Sequence, residues 1–204
     1  MPLVVIEGPQ GSGKTTQAVV LQKTLIELGF TVKSMREPGT TQLGERIRDL
    51  VFSMDMSPTT AGLLFSASRR HMVETFVMQS LSRDEVVILD CYWMSQYVYQ
   101  GLLSDPEEQK VLCEIGSMGL QADIVIILDE DHEACLRKGR HGEPARLPHA
   151  REACEAYKKL ARENQQWHAL HGMSASSTSS AILGIVLPLL HSHYGLEQDH
   201  ASYA

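Results

Sequence analysis

Gly8-Pro9-Gln10-Gly11-Ser12-Gly13-Lys14-Thr15 follows the apolar run Leu3-Val4-Val5-Ile6 and precedes Thr16-Gln17-Ala18-Val19-Val20-Leu21. The eight residues match G-x-x-x-x-G-K-[ST] between a strand-like and a helix-like segment, the context that pattern requires. Glycines let the backbone wrap an anion closely, because no Cβ obstructs positive φ. Successive amides and the N-terminus of the following helix then point at phosphate oxygens. Lys14 adds a mobile charge for the β- and γ-oxygens, and the Thr15 hydroxyl is placed for Mg²⁺. Gly8, Gln10, Gly11, Ser12, Gly13, Lys14, Thr15 and Thr16 are the expected binding residues for ATP. The bland alternative, a glycine-rich turn, does not account for both flanks.

Outward from the loop, helical and strand-like periods alternate. Ala18, Leu21, Leu25 and Leu28 recur at helical spacing, and Gly29 stops the helix. Phe30 to Met35 reads as a second strand, with the turn Arg36-Glu37-Pro38-Gly39 past its carboxyl end. Thr41 to Phe52 reads as a helix with Leu43, Ile47, Leu50 and Val51 as its apolar side. Ser57-Pro58 is a cap followed by proline at the first helical position, opening a long helix to about Leu81. Glu85 to Leu89 is a third strand ending in Asp90, and Asp105-Pro106 opens a helix to about Met118. Asp123 to Leu128 is a fourth strand, His132 to Lys138 a helix, and Gly139 to Pro148 an exposed loop. Arg151 to Gln166 reads as a polar helix and Trp167 to His171 as a short last strand. Ser174 to Ser180 reads as a turn before a final helix that Pro188 should kink. Strands alternating with helices predict an α/β fold with a mostly parallel sheet.

Composition bounds the function. A chain of 204 residues fits one domain with a sizeable core. A net charge of −7 argues against broad binding to nucleic acid, whose backbone needs a basic surface. Cys91, Cys113, Cys135 and Cys154 lack C-x-x-C spacing and read as free thiols of a reducing compartment. The histidines show no metal-ligand spacing. The first apolar run lacks the basic flank of a signal peptide. The run Ala181 to Leu190 is half of the roughly 20 residues needed to span a bilayer. The expectation is a cytoplasmic protein without a membrane partner.

Two further constellations carry chemistry. Asp90 ends an apolar strand in a chain that already has the phosphate loop, which places its carboxylate to hold Mg²⁺ or its water shell; as a bland alternative it caps a turn. Phe65 and Arg69 are four apart on the long helix and share a face. A ring to stack on and a planar fork of donors suit the face and edge of a base. Singly, Phe65 reads as core and Arg69 as a solvated charge.

These stretches together resemble thymidylate kinases of the bacterial kind. The resemblance rests on Gly8 to Thr16, Arg36-Glu37-Pro38-Gly39-Thr40-Thr41-Gln42-Leu43, Leu64-Phe65-Ser66-Ala67-Ser68-Arg69, and Asp90-Cys91-Tyr92 through Ser95 to Tyr99-Gln100-Gly101. It runs in order from Pro2 to about Leu170. It implies a P-loop NTPase-type three-layer sandwich around a mostly parallel five-stranded sheet, a single nucleoside monophosphate kinase domain over residues 1–204. It implies ATP-dependent phosphorylation of dTMP, with Mg²⁺ held by Thr15 and Asp90. By the same resemblance Arg36 reaches the acceptor phosphate, with Pro38 beside it. Phe65 stacks on thymine, Arg69 bonds its edge, Gln96 lies near the base, and Tyr99 sits under the deoxyribose. Residues 137–149 become a lid, with Arg137, Arg140 and Arg146 as candidates to neutralise the transferring phosphoryl group. A C-terminal helix and tail cover about 178–204, and family members are usually homodimers.

Three departures stand out. Gln10 replaces the Asp or Glu of many relatives. Asp90-Cys91-Tyr92 replaces Asp-Arg-Tyr, removing an arginine near the acceptor phosphate, and Arg70 is the candidate to replace it. The lid is short and lacks the Asp-Arg-Ile-Glu stretch. Such departures suit a diverged member, a viral one for instance. They leave open a kinase for dUMP or a 5-substituted dUMP, or a nucleotide-binding protein without transfer activity.

Overall fold

The computed structural model describes residues 2–138 and 149–196. Its sheet has five strands: β1 (Leu3–Glu7), β2 (Val32–Arg36), β3 (Val86–Asp90), β4 (Ile124–Leu128) and β5 (His168–Leu170). Their order is β2-β3-β1-β4-β5, and all four pairings are parallel. The three inner strands are buried along their whole length. That explains why they read as continuous apolar runs rather than alternating ones. From β1 the chain turns to β2 and β3 on one side, then returns to β4 and β5 on the other. The carboxyl end of β1 therefore meets the crevice where open α/β sheets take ligands.

Alternate strand residues feed two cores. Leu3, Val5, Val87, Leu89, Val125 and Ile127 face one layer, whose helical side includes Met72, Met94, Val98, Ala153 and Tyr157. These come from α3 (Pro58–Met72), α5 (Trp93–Gly101) and α8 (Ala150–Glu163). Val4, Ile6, Val86, Ile88, Ile124 and Ile126 face the other. That layer is closed by Ala18, Leu21 and Leu25 of α1 (Lys14–Glu27) and by Ile182, Val186 and Leu190 of α9 (Ala175–Tyr194). The remaining helices are α2 (Gln42–Ser53), α4 (Met78–Ser82), α6 (Pro106–Ser117) and α7 (His132–Lys138).

Several elements differ from the sequence reading. The long helix is not uniform: α3 passes into α4 through a π-helical turn at Val73–Val77, whose Val73 and Val77 are buried. On α2, Ile47 is buried, whereas Leu43 and Leu50 face solvent. Residues 93–101, to which the period gave no element, form α5. Residues 175–180 are the first turns of α9 rather than a separate turn. Ser174 caps that helix by accepting from the Ser177 amide at 3.2 Å. Gln17 of α1 is buried and holds the same turns, donating to the Ala175 carbonyl at 3.0 Å and accepting from Ser179 Oγ at 2.8 Å. Tertiary contacts thus override the weak helix propensity of serine. Pro188 lies inside α9 without ending it. Pro188 and Gly184, the residue whose carbonyl loses its helical partner, are both exposed, which leaves that part of the helix open to solvent. At 20 residues and a mean hydropathy of 1.2, α9 is long and apolar enough to cross a membrane. Its stripe Thr178, Ile182, Val186 and Leu190 is buried against the protein's own core.

Candidate active site

The loop between β1 and α1 packs too closely for side chains at two of its glycines. A Cβ on Gly8, whose φ is +143°, would lie 2.6 Å from the Leu128 carbonyl oxygen. One on Gly11, at φ +86°, would lie 2.5 Å from the carbonyl oxygen of Cys135 in α7. Glycine is therefore required by both φ and proximity. Gly13 caps α1 at φ +97°, and Ser12 is buried with an unpartnered hydroxyl. Thr16 is exposed at the start of α1. The Lys14 ammonium donates to the Gly8 and Pro9 carbonyls at 2.7 and 2.9 Å, folding back across the loop. Burial opposes its charge, but the anionic surroundings, Glu7 and Asp90 among them, outweigh it and raise its titration.

Asp90, at the end of β3, accepts from the Thr15 hydroxyl at 2.6 Å. The two oxygen groups expected to hold a metal are therefore together, and a hydroxyl and a carboxylate suit a hard cation such as Mg²⁺. Cys91 follows at φ +70°. Burial pushes its thiol well above the ordinary range, so it is neutral.

Phe65 and Arg69 lie together on α3, 9% and 1% exposed. Arg69 is no solvated charge. Its Nε donates to Glu37 Oε2 at 2.9 Å, its Nη2 pairs with Glu37 Oε1, and its Nη1 donates to Gln96 Oε1 at 3.0 Å. Burial works against the guanidinium charge, but Glu37 more than offsets this and holds Arg69 above its ordinary value. Gln96 of α5 is buried in the same network, donating to Gln109 Oε1 at 3.2 Å. The Glu37-Pro38 peptide is cis and follows β2 directly. Arg36 sits at the end of β2 and pairs through Nη2 with Glu45 of α2 at 2.8 Å. Thr15, Arg36, Thr40, Glu45 and Asp90 line one pocket of about 250 Å³.

The Tyr99 hydroxyl accepts from the Gln10 amide at 2.9 Å, and burial pushes the phenol up to about 12. It is therefore neutral. Gln10 Oε1 is buried without a partner. Arg70 does not replace the missing arginine: its Nε pairs with Glu74 at 2.5 Å, and its Nη1 reaches the Ile115 carbonyl at 3.4 Å, on the outer side of α3. Adjacent helical residues diverge by about 100°, which carries it away from Arg69. Arg140 and Arg146 lie outside the described residues, as does the side chain of Arg137.

Sequence reasoning missed Glu7, Glu37 and Tyr157. Glu7 is fully buried and accepts from the Tyr92 amide at 2.7 Å, Ser95 Oγ at 2.7 Å and Tyr157 Oη at 2.9 Å. Burial raises its pKa above the ordinary 4.5, against the pull of those bonds. A carboxylate ending an apolar strand was a visible signal for Glu7. Glu37 stood in the quoted turn, but nothing local paired it with Arg69.

A parallel sheet with an anion loop after its central strand, faced by a carboxylate at the end of the neighbouring strand, is a P-loop nucleotide-binding fold. Within that class the chain belongs to the thymidylate kinase family, whose model matches residues 6–178. It is 35% identical over 161 residues to the thymidylate kinase of Thermoanaerobacter sp. strain X514, covering 77% of this chain and 78% of that one. It is 39% identical over 170 residues to that of Leifsonia xyli subsp. xyli, covering 81% and 76%. The crystal structure of thymidylate kinase from Ehrlichia chaffeensis superposes with a TM-score of 0.75 at 25% identity, over 91% of this chain and 98% of that one.

Proposed function

We propose that the protein transfers the γ-phosphoryl group of ATP to dTMP, giving dTDP and ADP. An oxygen of the acceptor phosphate forms the new bond to the γ-phosphorus, and the bond to the β–γ bridging oxygen breaks. No covalent enzyme group is needed, because positioning and charge neutralisation carry such transfers. The observation that carries this reading is the Thr15–Asp90 pair beside the phosphate loop, lining one pocket with Arg36. The next residue, Glu37, accepts from Arg69, which donates in turn to Gln96, so the loop's pocket adjoins the Phe65–Arg69 helix.

In this account the amides of Gly11 to Thr16 and the Lys14 ammonium hold the donor phosphates, and Lys14 leaves the loop carbonyls to do so. Arg36 meets the acceptor phosphate. Phe65 stacks on the base, with Arg69 and Gln96 at its edge and Pro38 alongside. Tyr99 lies under the deoxyribose, where its ring leaves no room for a 2′-hydroxyl. Thr15 and Asp90 would hold Mg²⁺, which would supply charge neutralisation at the transferred group. Arg137, Arg140 and Arg146 are the lid candidates for the same task.

The account also includes a single kinase domain, a cytoplasmic location, no nucleic-acid or membrane partner, and a homodimer. Leu63 of α3 and Val111 and Ile115 of α6 are more than half exposed, an apolar surface suited to a second copy. An ADP-release assay over dTMP, dUMP, 5-substituted dUMP and ribonucleotides tests the function. Highest kcat/KM on dTMP is expected. Preference for another monophosphate would move the substrate, and ATP binding without turnover on any acceptor would overturn the reading.

A further inference from the structure

Helix α5 lacks a cap of its own. Tyr92, at its N-cap position, gives no side-chain acceptor to the first turn. Instead the amides of Tyr92 and Ser95 both donate to Glu7 Oε1, at 2.7 and 3.2 Å, across more than eighty residues of sequence. The helix start is therefore set by the strand that leads into the phosphate loop. One turn further on, the Tyr99 hydroxyl takes the Gln10 amide. Glu7 and Gln10, three residues apart, thus anchor α5 at two points along the loop.

A third element closes the arrangement. Tyr157 of α8 is fully buried, and its hydroxyl lies 2.9 Å from Glu7 Oε2 and 2.8 Å from Ser95 Oγ. Its ring stands edge-on to that of Tyr99, with centroids 6.4 Å apart. The hydroxyl that braces Glu7 and Ser95 and the ring that backs Tyr99 therefore belong to one side chain, Tyr157. Buried, fully partnered networks of this kind fix geometry more than they add stability.

We propose that Glu7, braced by Tyr157 and Ser95, is a positioning residue that sets the height of Tyr99 over the phosphate loop, and through it the choice of deoxyribose over ribose acceptors. The inference rests on the reading that Tyr99 lies under the acceptor sugar. Misplacement by a fraction of an ångström lets a 2′-hydroxyl fit and spoils the deoxy geometry.

The test compares wild type with Tyr157→Phe, Ser95→Ala and Glu7→Gln. It uses kcat/KM for dTMP against its ribonucleotide analogue, together with amide hydrogen exchange at Gln10. Tyr157→Phe keeps the ring, and Ser95→Ala is the mildest change should the other variants fold poorly. The deoxy-to-ribo ratio is expected to fall roughly 10- to 100-fold in Glu7→Gln, less in the other two. KM for ATP should hold, and exchange at Gln10 should quicken. A variant that loses thermal stability while ratio and exchange stay at wild-type values would make the network merely structural and overturn the inference. A wild-type protein that transfers to neither acceptor would contradict the functional reading instead, and Gln10 exchange would then decide the positioning alone.

Discussion

The Thr15 hydroxyl donates to Asp90 Oδ2 at 2.6 Å, joining the first helix after the phosphate loop to the end of the neighbouring strand. Both groups are hard oxygen donors, and each can turn a lone pair to a cation between them. Asp90→Asn keeps the shape and removes the charge. It is expected to raise the Mg²⁺ concentration for half-maximal activity roughly 10- to 100-fold while the melting temperature holds. An unchanged Mg²⁺ dependence would remove Asp90 from the metal site.

Arg69 and Glu37 are both buried and bound to one another through two bonds. Glu37→Ala leaves a guanidinium buried without its partner, so denaturation should show a loss of about 3–5 kcal/mol. The double variant Glu37→Leu with Arg69→Met should recover most of that stability yet bind dTMP poorly. A single variant as stable as wild type would contradict the ion pair.

Cys91 is a neutral thiol at the position where the family resemblance puts a guanidinium. Cys91→Ser should leave kcat and KM nearly unchanged, because no thiol chemistry is asked of it. Cys91→Arg should lower KM for dTMP by an amount equivalent to about 1–3 kcal/mol if charge-assisted bonds to the acceptor phosphate form. Steady-state kinetics at saturating ATP reads both. A dead serine variant would mean the thiol itself acts.

Glu7 titrates above its ordinary 4.5 because burial penalises its charge. The folded protein then holds more protons at this group than the unfolded chain does, so its contribution falls as pH rises. That contribution is complete below about pH 4.5 and is lost as pH climbs through the raised folded value. Thermal melts from acid to neutral pH should show wild type losing stability relative to Glu7→Gln over that window. Parallel profiles would mean that folding leaves the titration of Glu7 unchanged.

Much of this architecture was legible because local signals agreed with the global fold. The loop at residues 8–15 sat between a buried strand and a helix, and the inner strands read as unbroken apolar runs. The misreadings have physical causes. The start of α9 looked like a turn because serine favours caps, and a partner that helps hold it helical, Gln17 of α1, lies 158 residues from Ala175. Leu43 and Leu50 fit the helical period of α2, but the period does not say which face meets the core. In the site, the loop and the Phe65–Arg69 spacing were visible. The partners of Arg69 and Glu7 were not, since both pairings join elements distant in sequence. Arg70, the candidate for the missing arginine as Arg69's neighbour, turns outward to Glu74 instead.

The most direct test of the account is the chromatographic appearance of dTDP from ATP and dTMP, run for wild type and Lys14→Ala. The account predicts steady dTDP formation by wild type. It predicts loss of transfer in a folded Lys14→Ala protein, whose ammonium no longer meets the accumulating negative charge. No dTDP from wild type, or near-normal turnover by Lys14→Ala, would contradict it.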